Sequence, residues 1–350
     1  MSKKIALITG AGSMDGRTLT HILLLKNYHV ILTYRRNSQL STEIIAKEFE
    51  NDLKLAGQLS FETCDITDRN NVEECIKFVL QKCGKIDELY LIAAMSHVGM
   101  SFHQKDYSIM CNGQSYYYFL ETLKNYSPTT RTYGALTSEL AGDVPQGTVF
   151  NEETSWNPKS PYGYGKALGG YWIKHYRESI NSNLFCCFGI LFNHSNTLRS
   201  KDFLIRKLTN TFAKIVLGKE TEVKLAHLSF ARDEHWSDFG CEMMWKMLQN
   251  SEPKDYVIGN GECFWGEQYL DEVGNYFNLD WKKYVKFDKE LIRPNEVVRL
   301  VCSPLKAEKE LGWKRNRISF KDHIGLMCKY DYELESGQIP VRPDVFKLYP

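Results

Sequence analysis

The chain has 350 residues, 43% hydrophobic and 13% aromatic, enough to bury one large core or a core plus a smaller lobe. A net charge of +1 with 25% charged residues supplies no global field for a polyanion, which argues against nucleic acid or an anionic membrane as a partner. No run of about eighteen apolar residues occurs, and Met1-Ser2-Lys3-Lys4 leads straight into a strand-like segment, so a cytoplasmic chain without a membrane span is expected.

Ile5-Ala6-Leu7-Ile8 reads as a short buried strand. It enters Thr9-Gly10-Ala11-Gly12-Ser13-Met14-Asp15-Gly16 and then helical spacing through Leu19, Ile22, Leu23 and Leu24. A strand, glycine-rich turn and helix set a pyrophosphate on the helix N-terminus, so Gly10, Gly12, Ser13, Met14, Asp15 and Gly16 are candidate dinucleotide contacts. The next strand, His29 to Tyr34, ends in Arg35-Arg36, where an NAD-selective site carries an acid about 20 residues beyond the glycines. Two guanidiniums suit a ribose 2′-phosphate, so NADP is expected over NAD; Arg36 equally fits a solvated or subunit-interface residue. The strand Leu59 to Cys64 leads into Asp65-Ile66, and Asp65 is placed to accept from an adenine amino group.

A further strand, Glu88 to Ala93, leads into Ala94-Met95-Ser96-His97-Val98, where small residues let the backbone approach a cofactor. A helix is predicted from about Lys105 to Leu123. Arg131 to Leu136 is a strand that delivers Thr137-Ser138-Glu139 to its carboxyl end. Strands alternating with helices predict an α/β fold, a Rossmann doubly wound parallel sheet binding its ligands beyond the carboxyl ends of the strands.

Tyr162 and Lys166 stand one helical turn apart in Ser160-Pro161-Tyr162-Gly163-Tyr164-Gly165-Lys166, at the start of a helix reaching about Ile180. An ammonium near a phenol favours phenolate and lowers a pKa of about 10, so Tyr162 can exchange a proton with a sugar hydroxyl near neutral pH. Such a pair also occurs by chance on surface helices. The glycine turn and Thr137-Ser138-Glu139 are what give it meaning here.

Asn183 to Leu191 reads as another buried strand. It contains the adjacent Cys186 and Cys187, and the ten cysteines form no Cys-x-x-Cys pair, so reduced core thiols are expected and no metal site. From Asn193 the alternation loosens. Asn193-His194, Arg199, Arg206-Lys207, Arg232 and Arg293 are expected on loops or helix starts, a cation-rich set able to hold a diphosphate. Helices are predicted over about Phe239 to Gln249, Gly266 to Tyr276, Pro304 to Leu311 and Phe320 to Leu334. The proline-containing tail from Ser336 reads as a strap or partner contact.

Taken together, Ala94-Met95-Ser96-His97-Val98, Thr137-Ser138-Glu139-Leu140, Ser160-Pro161-Tyr162-Gly163, Tyr171-Trp172-Ile173, Gly189-Ile190-Leu191-Phe192-Asn193-His194, Arg293-Pro294-Asn295-Glu296-Val297 and Leu311-Gly312-Trp313 resemble the GDP-mannose 4,6-dehydratase family of the extended short-chain dehydrogenase/reductase superfamily. The resemblance implies a lyase cycle on a GDP-sugar. Tyr162, supported by Lys166 and hydrogen-bonded near Thr137, acts at the 4-hydroxyl. Glu139, with Ser138 as relay, takes the carbon 5 proton and helps the 6-hydroxyl leave. Gly10, Asp15, Arg35, Asp65, Ile66, Ala93, Ala94, Ser96, Tyr107, His194 and Arg199 fall at family cofactor positions. Asn193, Lys207, Arg232, Arg293 and Glu296, with Ser96 and Val98, fall at substrate positions. The implied organisation is an NADP-binding domain over 1–192 with returning segments, a smaller mixed α/β GDP-sugar lobe over 193–335 and a tail over 336–350, assembled as a homotetramer or homodimer.

Departures from that pattern stand out. Ser13 replaces a glycine and Gly12 a threonine in the turn; Leu136 replaces a serine and Ala141 a tyrosine near the sugar pocket; Ser195 stands where the family has glutamate, and Arg199 is a single arginine where it has two. Alternatives are a GDP-heptose as substrate, a sugar-nucleotide 4-epimerase or 4-keto reductase, which has no use for Glu139, and a non-catalytic NADP-binding protein.

Overall fold

The computed structural model describes residues 3–36, 42–50, 58–142 and 147–349. In chain order the first elements are β1 (Ile5–Thr9), α1 (Met14–Leu25), β2 (His29–Tyr34), α2 (Thr42–Glu50), β3 (Leu59–Thr63), α3 (Arg69–Cys83) and β4 (Glu88–Leu91). Lys105–Ile109, a π-helical turn at Met110–Gln114 and Ser115–Tyr126 run on as α4, followed by β5 (Arg131–Thr137), α5 (Pro161–Glu178) and β6 (Cys186–Leu191). Then come β7 (Asn193–Ser195), α6 (Leu204–Val216), β8 (Val223–Leu225), β9 (Ala231–Trp236), α7 (Ser237–Met247), β10 (Tyr256–Ile258) and β11 (Cys263–Trp265). The chain closes with α8 (Gly266–Phe277), β12 (Val285–Phe287), β13 (Arg299–Leu300), α9 (Leu305–Leu311) and α10 (Phe320–Glu335).

Two compact units emerge. The first comprises 1–142, 152–191 and 241–257, and the second 143–151, 192–240 and 258–350. The first is built on a sheet in the order β10-β6-β5-β4-β1-β2-β3, whose described pairings are parallel. β1 and β6 are buried along their whole length, as strands covered on both faces must be. Strand order reverses between β1 and β4, the switch point where an open parallel sheet leaves a crevice at its carboxyl edge. Thr9 opens that crevice: its Oγ1 accepts from the N–H of Ile92 (2.9 Å) and Ala93 (3.0 Å), ending β4 at Leu91 rather than at the expected Ala93. β6 likewise starts at Cys186 rather than Asn183, because Asn183 takes a left-handed turn with φ +44°.

Helix α5 lies tightly on α4. A Cβ at Gly165 would stand 2.9 Å from Asn112 Cβ, and one at Gly169 would stand 3.0 Å from Asn112 O, so only glycine permits the approach. The π-helical turn containing Asn112 sits at this contact, a distortion that the apolar spacing of α4 does not announce.

In the second unit β9 is central, with β11 antiparallel to it and β13 and β7 parallel. α6 and α10 are joined by the buried Arg206–Asp331 ion pair at 2.7 Å. The tail runs along this unit: Arg342 donates to Asp238 (2.6 Å), Arg317 to the carbonyl of Tyr349 (2.6 Å), and Val345 is buried. Among the described residues no helix is long and apolar enough to cross a membrane.

Candidate active site

The β1–α1 turn is shaped by two glycines. Gly10 has φ +86°, and a Cβ there would come within 3.0 Å of Ala93 Cα; a Cβ at Gly16 would come within 2.4 Å of Gly10 O. Ser13 turns its hydroxyl into the loop, donating to Gly10 O (2.8 Å) and accepting from Gly16 N–H (3.0 Å) as the N-cap of α1. The serine thus does locally what a glycine there cannot, and its side chain is held away from the mouth of the turn. The result is a helix N-terminus with Met14 buried beneath it and Asp15 in its first turn.

Beside this turn, Tyr34, Arg35, Arg36, Thr63, Cys64, Asp65 and Asn71 line a hollow of about 370 Å³. Arg35 donates to the Tyr107 hydroxyl and lies over its ring, 5.9 Å from the centroid. Asp65 is fixed by its own backbone N–H, which donates to Asn71 Oδ1 (2.7 Å), and by Thr67, whose N–H and hydroxyl both donate to Asp65 Oδ1. Ile66 is buried beside it. Two guanidiniums and an anchored carboxylate thus meet in one hollow at the ends of β2 and β3. The loop after β4 leaves Ser96 exposed, and His97 caps the short helix Val98–Ser101 by accepting from Met100 N–H (3.1 Å).

The end of β5 and the start of α5 form the second part. Ser138–Leu140 is a single 3₁₀ turn capped by Thr137, whose hydroxyl accepts from Glu139 N–H at 3.3 Å. α5 begins at Pro161, with Ser160 as N-cap accepting from Gly163 N–H (3.1 Å). A Cβ at Gly163 would stand 2.8 Å from Pro158 Cβ and 3.3 Å from the Glu139 carbonyl oxygen, so glycine brings the helix start against the Glu139 turn. Asn157 N–H donates to Leu140 O (2.8 Å) and stitches the two segments together. Thr137 and Tyr162 are both nearly buried, while Glu139 is half-exposed.

Lys166, 2% exposed, donates from Nζ to the Ala135 carbonyl (2.7 Å), which also accepts from the Tyr116 hydroxyl (2.9 Å). Burial lowers its pKa to about 8, and the Cys111 thiol and Asp15 carboxylate pull it back upward. This ammonium sits near the point of losing its proton, at the base of the helix that carries Tyr162. Leu136 and Ala141 are buried; Leu136 faces Gly170 of α5, where a Cβ would be 2.8 Å from its Cδ1.

The second unit gathers other predicted residues and corrects several expectations. Arg232 is not on a loop or helix start: it lies on β9 and is buried. Its guanidinium donates to the carbonyls of Ala231 (3.0 Å) and Val298 (3.1 Å) and to Glu296 Oε1 (3.4 Å). Arg293 Nη1 (3.7 Å from Oε1) and His227 Nε2 (3.8 Å from Oε2) close on the same carboxylate. His227 carried no sequence signal beyond being a histidine. Asn193 and His194 are on strand β7 rather than a loop. Arg206 drops out of the candidate cations, because Asp331 takes its guanidinium in the core. Lys207 turns to the Lys224 carbonyl (2.6 Å), and burial lowers its pKa. Arg199 follows β7 and lies over the Phe203 ring at 3.6 Å. All ten cysteines are free, most of them buried.

A profile of the GDP-mannose 4,6 dehydratase family matches residues 7–327. GDP-mannose 4,6 dehydratase 2 of Arabidopsis thaliana is 35% identical over 339 residues, covering 95% of this chain and 88% of that one. The Homo sapiens GDP-mannose 4,6 dehydratase is 34% identical over 355 residues, covering 95% and 92%. The dTDP-glucose 4,6-dehydratase of Bacillus anthracis str. Ames, solved with NAD, superimposes with TM-score 0.79 at 17% identity, covering 96% of this chain and 98% of that one. RMD of Pseudomonas aeruginosa, solved with NADPH, gives TM-score 0.74 at 14% identity and covers 95% and 98%. The solved structures share the α/β fold; the sequence relatives, matched over 95% of this chain, go further, and the chain belongs to the GDP-mannose 4,6-dehydratase family.

Proposed function

We propose that the chain is a GDP-sugar 4,6-dehydratase, converting GDP-mannose to GDP-4-keto-6-deoxymannose with NADP as its resident cofactor. The observation that supports the reading is the close seating of the backbone of the Glu139 turn against the start of the helix that carries Tyr162 and Lys166. When bound, NADP supplies the hydride acceptor for carbon 4 and the hydride donor for carbon 6, so the cycle is redox-neutral. Gly10, Gly12, Ser13, Met14, Asp15 and Gly16 suit its pyrophosphate, Arg35 and Arg36 its 2′-phosphate, and Asp65 and Ile66 its adenine. Ala93, Ala94, Ser96, Tyr107, His194 and Arg199 are further proposed contacts.

Tyr162, its phenolate favoured by the Lys166 ammonium, takes the proton of the 4-hydroxyl as that carbon becomes a ketone, with Thr137 as hydrogen-bond partner. The ketone acidifies carbon 5. Glu139 removes the carbon 5 proton and, with Ser138 as relay, delivers a proton to the 6-hydroxyl, which leaves as water. Carbon 5 regains a proton as carbon 6 is reduced. Asn193, Lys207, Arg232 and Arg293 are proposed for the diphosphate, and Glu296 for the nucleotide ribose.

The test is incubation of the purified protein with GDP-mannose in deuterated water. A product lighter by one water, with deuterium at carbon 5, is expected. Unchanged GDP-mannose and GDP-heptose would remove the reading, and NADPH binding without any sugar-nucleotide turnover would favour the non-catalytic alternative. Assembly as a homotetramer is proposed from family membership and is checked by light scattering.

A further inference from the structure

Glu296 stands among three basic side chains and is held tightly by none of them. Its Oε1 lies 3.4 Å from Arg232 Nη2 and 3.7 Å from Arg293 Nη1, and its Oε2 lies 3.8 Å from His227 Nε2. A well-made bond from a cation to a carboxylate is about 2.7–2.9 Å. Two carboxylate oxygens therefore under-fill the space that these three donors border.

The donors come from different parts of the second unit. Arg232, on β9, is fixed through the carbonyls of Ala231 and Val298, and its guanidinium lies 5.5 Å from the centre of the Phe230 ring. His227, just after β8, meets the same ring at a steep angle, with centroids 6.1 Å apart. Its Nδ1 accepts from the Ser229 N–H (3.2 Å), so the ring proton sits on Nε2, the nitrogen that faces Glu296. Arg293 is the more exposed of the two guanidiniums.

The carboxylate can move while its backbone stays. Val297 is buried, and the Val298 carbonyl accepts from the Ala231 N–H (2.7 Å) and from Arg232 (3.1 Å), which ties the chain beside Glu296 to β9. The Glu296 side chain is 21% exposed, and ion pairs within reach of solvent are weak enough to exchange.

We propose that His227, Arg232 and Arg293 form one diphosphate cradle and that Glu296 is its resting occupant, displaced by an arriving nucleoside diphosphate and turned towards the ribose. The inference rests on the diphosphate role proposed for Arg232 and Arg293 and the ribose role proposed for Glu296. It adds His227 as a third donor and the exchange of one anion for another. A diphosphate carries more oxygens and more charge than a carboxylate, so it satisfies the three donors together. Competition from Glu296 weakens the binding of any diphosphate, and the ribose contact offsets that loss only for a ligand that has a ribose. The cradle thereby selects nucleoside diphosphates over inorganic pyrophosphate.

The experiment titrates the full-length protein by calorimetry with inorganic pyrophosphate, guanosine and GDP, with NADPH added to occupy the dinucleotide turn. Pyrophosphate is expected to bind about tenfold more tightly to Glu296→Gln than to the parent. Glu296→Asp, whose shorter side chain keeps the charge but withdraws it from the donors, should gain about threefold. Guanosine, with no phosphate to displace Glu296, should gain nothing, and the preference for GDP over pyrophosphate should fall at least about tenfold in Glu296→Gln. Adding His227→Phe to Glu296→Gln should weaken pyrophosphate binding about fivefold. Pyrophosphate affinity that is equal or lower in Glu296→Gln overturns the exchange. So does a gain absent from Glu296→Asp, which would trace to charge at a distance, or an equal gain for guanosine, which would trace to a loosened protein. Unchanged affinity on adding His227→Phe removes His227 from the cradle. If the parent turns over GDP-mannose while these affinities stay level, the dehydratase reading stands and the inference falls. Pyrophosphate binding seen only in Glu296→Gln supports the exchange, and binding of pyrophosphate and GDP by none of the proteins rejects both the diphosphate assignment and the inference.

Discussion

Removing Arg35 and Arg36 tests the cofactor assignment through selectivity rather than through activity. Arg35 is already tied to Tyr107, and both arginines line the hollow that Asp65 closes. A charge-assisted hydrogen bond to phosphate contributes about 1.5–3 kcal/mol, and about 1.4 kcal/mol is a tenfold change in affinity. Both side chains are exposed, so solvent and salt screen them and the lower end applies. Arg35→Ala and Arg36→Ala should each weaken NADPH binding about tenfold at physiological salt, and the double variant about a hundredfold. NADH, which lacks the 2′-phosphate, should lose no more than about twofold, and the NADPH loss should grow as salt is lowered. Tyr107→Phe, which removes only the hydroxyl that Arg35 holds, should cost about threefold. The assay is fluorescence titration of both cofactors at two salt concentrations. Equal losses for NADH and NADPH, or an NADPH preference that survives in the double variant, would refute the assignment of a 2′-phosphate to this hollow.

Three other outcomes follow from the geometry. Lys166 has its folded-state pKa depressed to about 8 from 10.5, so its ammonium is present below that pH and lost above it. Turnover should therefore fall as pH rises through about 8, Lys166→Arg should extend the alkaline limit, and Lys166→Met should remove turnover at every pH, as measured by initial rates from pH 6 to 10. Gly163→Ala places a methyl 2.8 Å from Pro158 Cβ and 3.3 Å from the Glu139 carbonyl. It should cut kcat about 10–100-fold while leaving NADPH affinity within about twofold, and an unchanged kcat would show that the helix start and the Glu139 turn need not touch. For Glu234 the folded-state pKa is raised from 4.5 to about 7, so the folded protein holds the proton more tightly and stability falls between those pH values. Urea melts should show Glu234→Gln with a flatter pH dependence over that window, by up to about 3 kcal/mol; Asp233, raised to about 6, contributes a decline of the same sign that remains in the variant.

The first unit was largely legible because its strands are apolar runs between helical periodicities. β1, β2, β3 and β5 fall where alternation and turn residues put them, and Tyr162 and Lys166 share a helical face by spacing alone. Strand ends were less visible, because Thr9 and Asn183 set them through a hydroxyl bond and a left-handed turn. β9 was illegible for a different reason. Arg232 is expected on a loop or helix start, yet it and its neighbours Asp233, Glu234 and His235 are buried on the strand. What makes that possible is tertiary: Asp233 accepts from the N–H groups of Asn260 (2.6 Å) and Gly261 (2.7 Å), and Arg232 finds Glu296. No local pattern encodes partners that distant in sequence. The missed helix α6 did carry a signal, since Ile205, Leu208 and Phe212 recur at helical spacing and are buried. Ser13, a departure from the family's glycine, shows why a substitution must be judged by where its atoms go: the hydroxyl caps α1 instead of crowding the turn.

In the proposed cycle Glu139 is what separates dehydration from simple oxidation and reduction at carbon 4, so replacing that one residue should separate the steps. With Glu139→Gln and GDP-mannose in a single-turnover experiment, NADPH absorbance should appear and persist, because Tyr162 and Lys166 still allow oxidation, while loss of water falls by at least about a hundredfold. Loss of water at near the parental rate in Glu139→Gln would contradict the account, since the carboxylate would then not be the group that removes the carbon 5 proton.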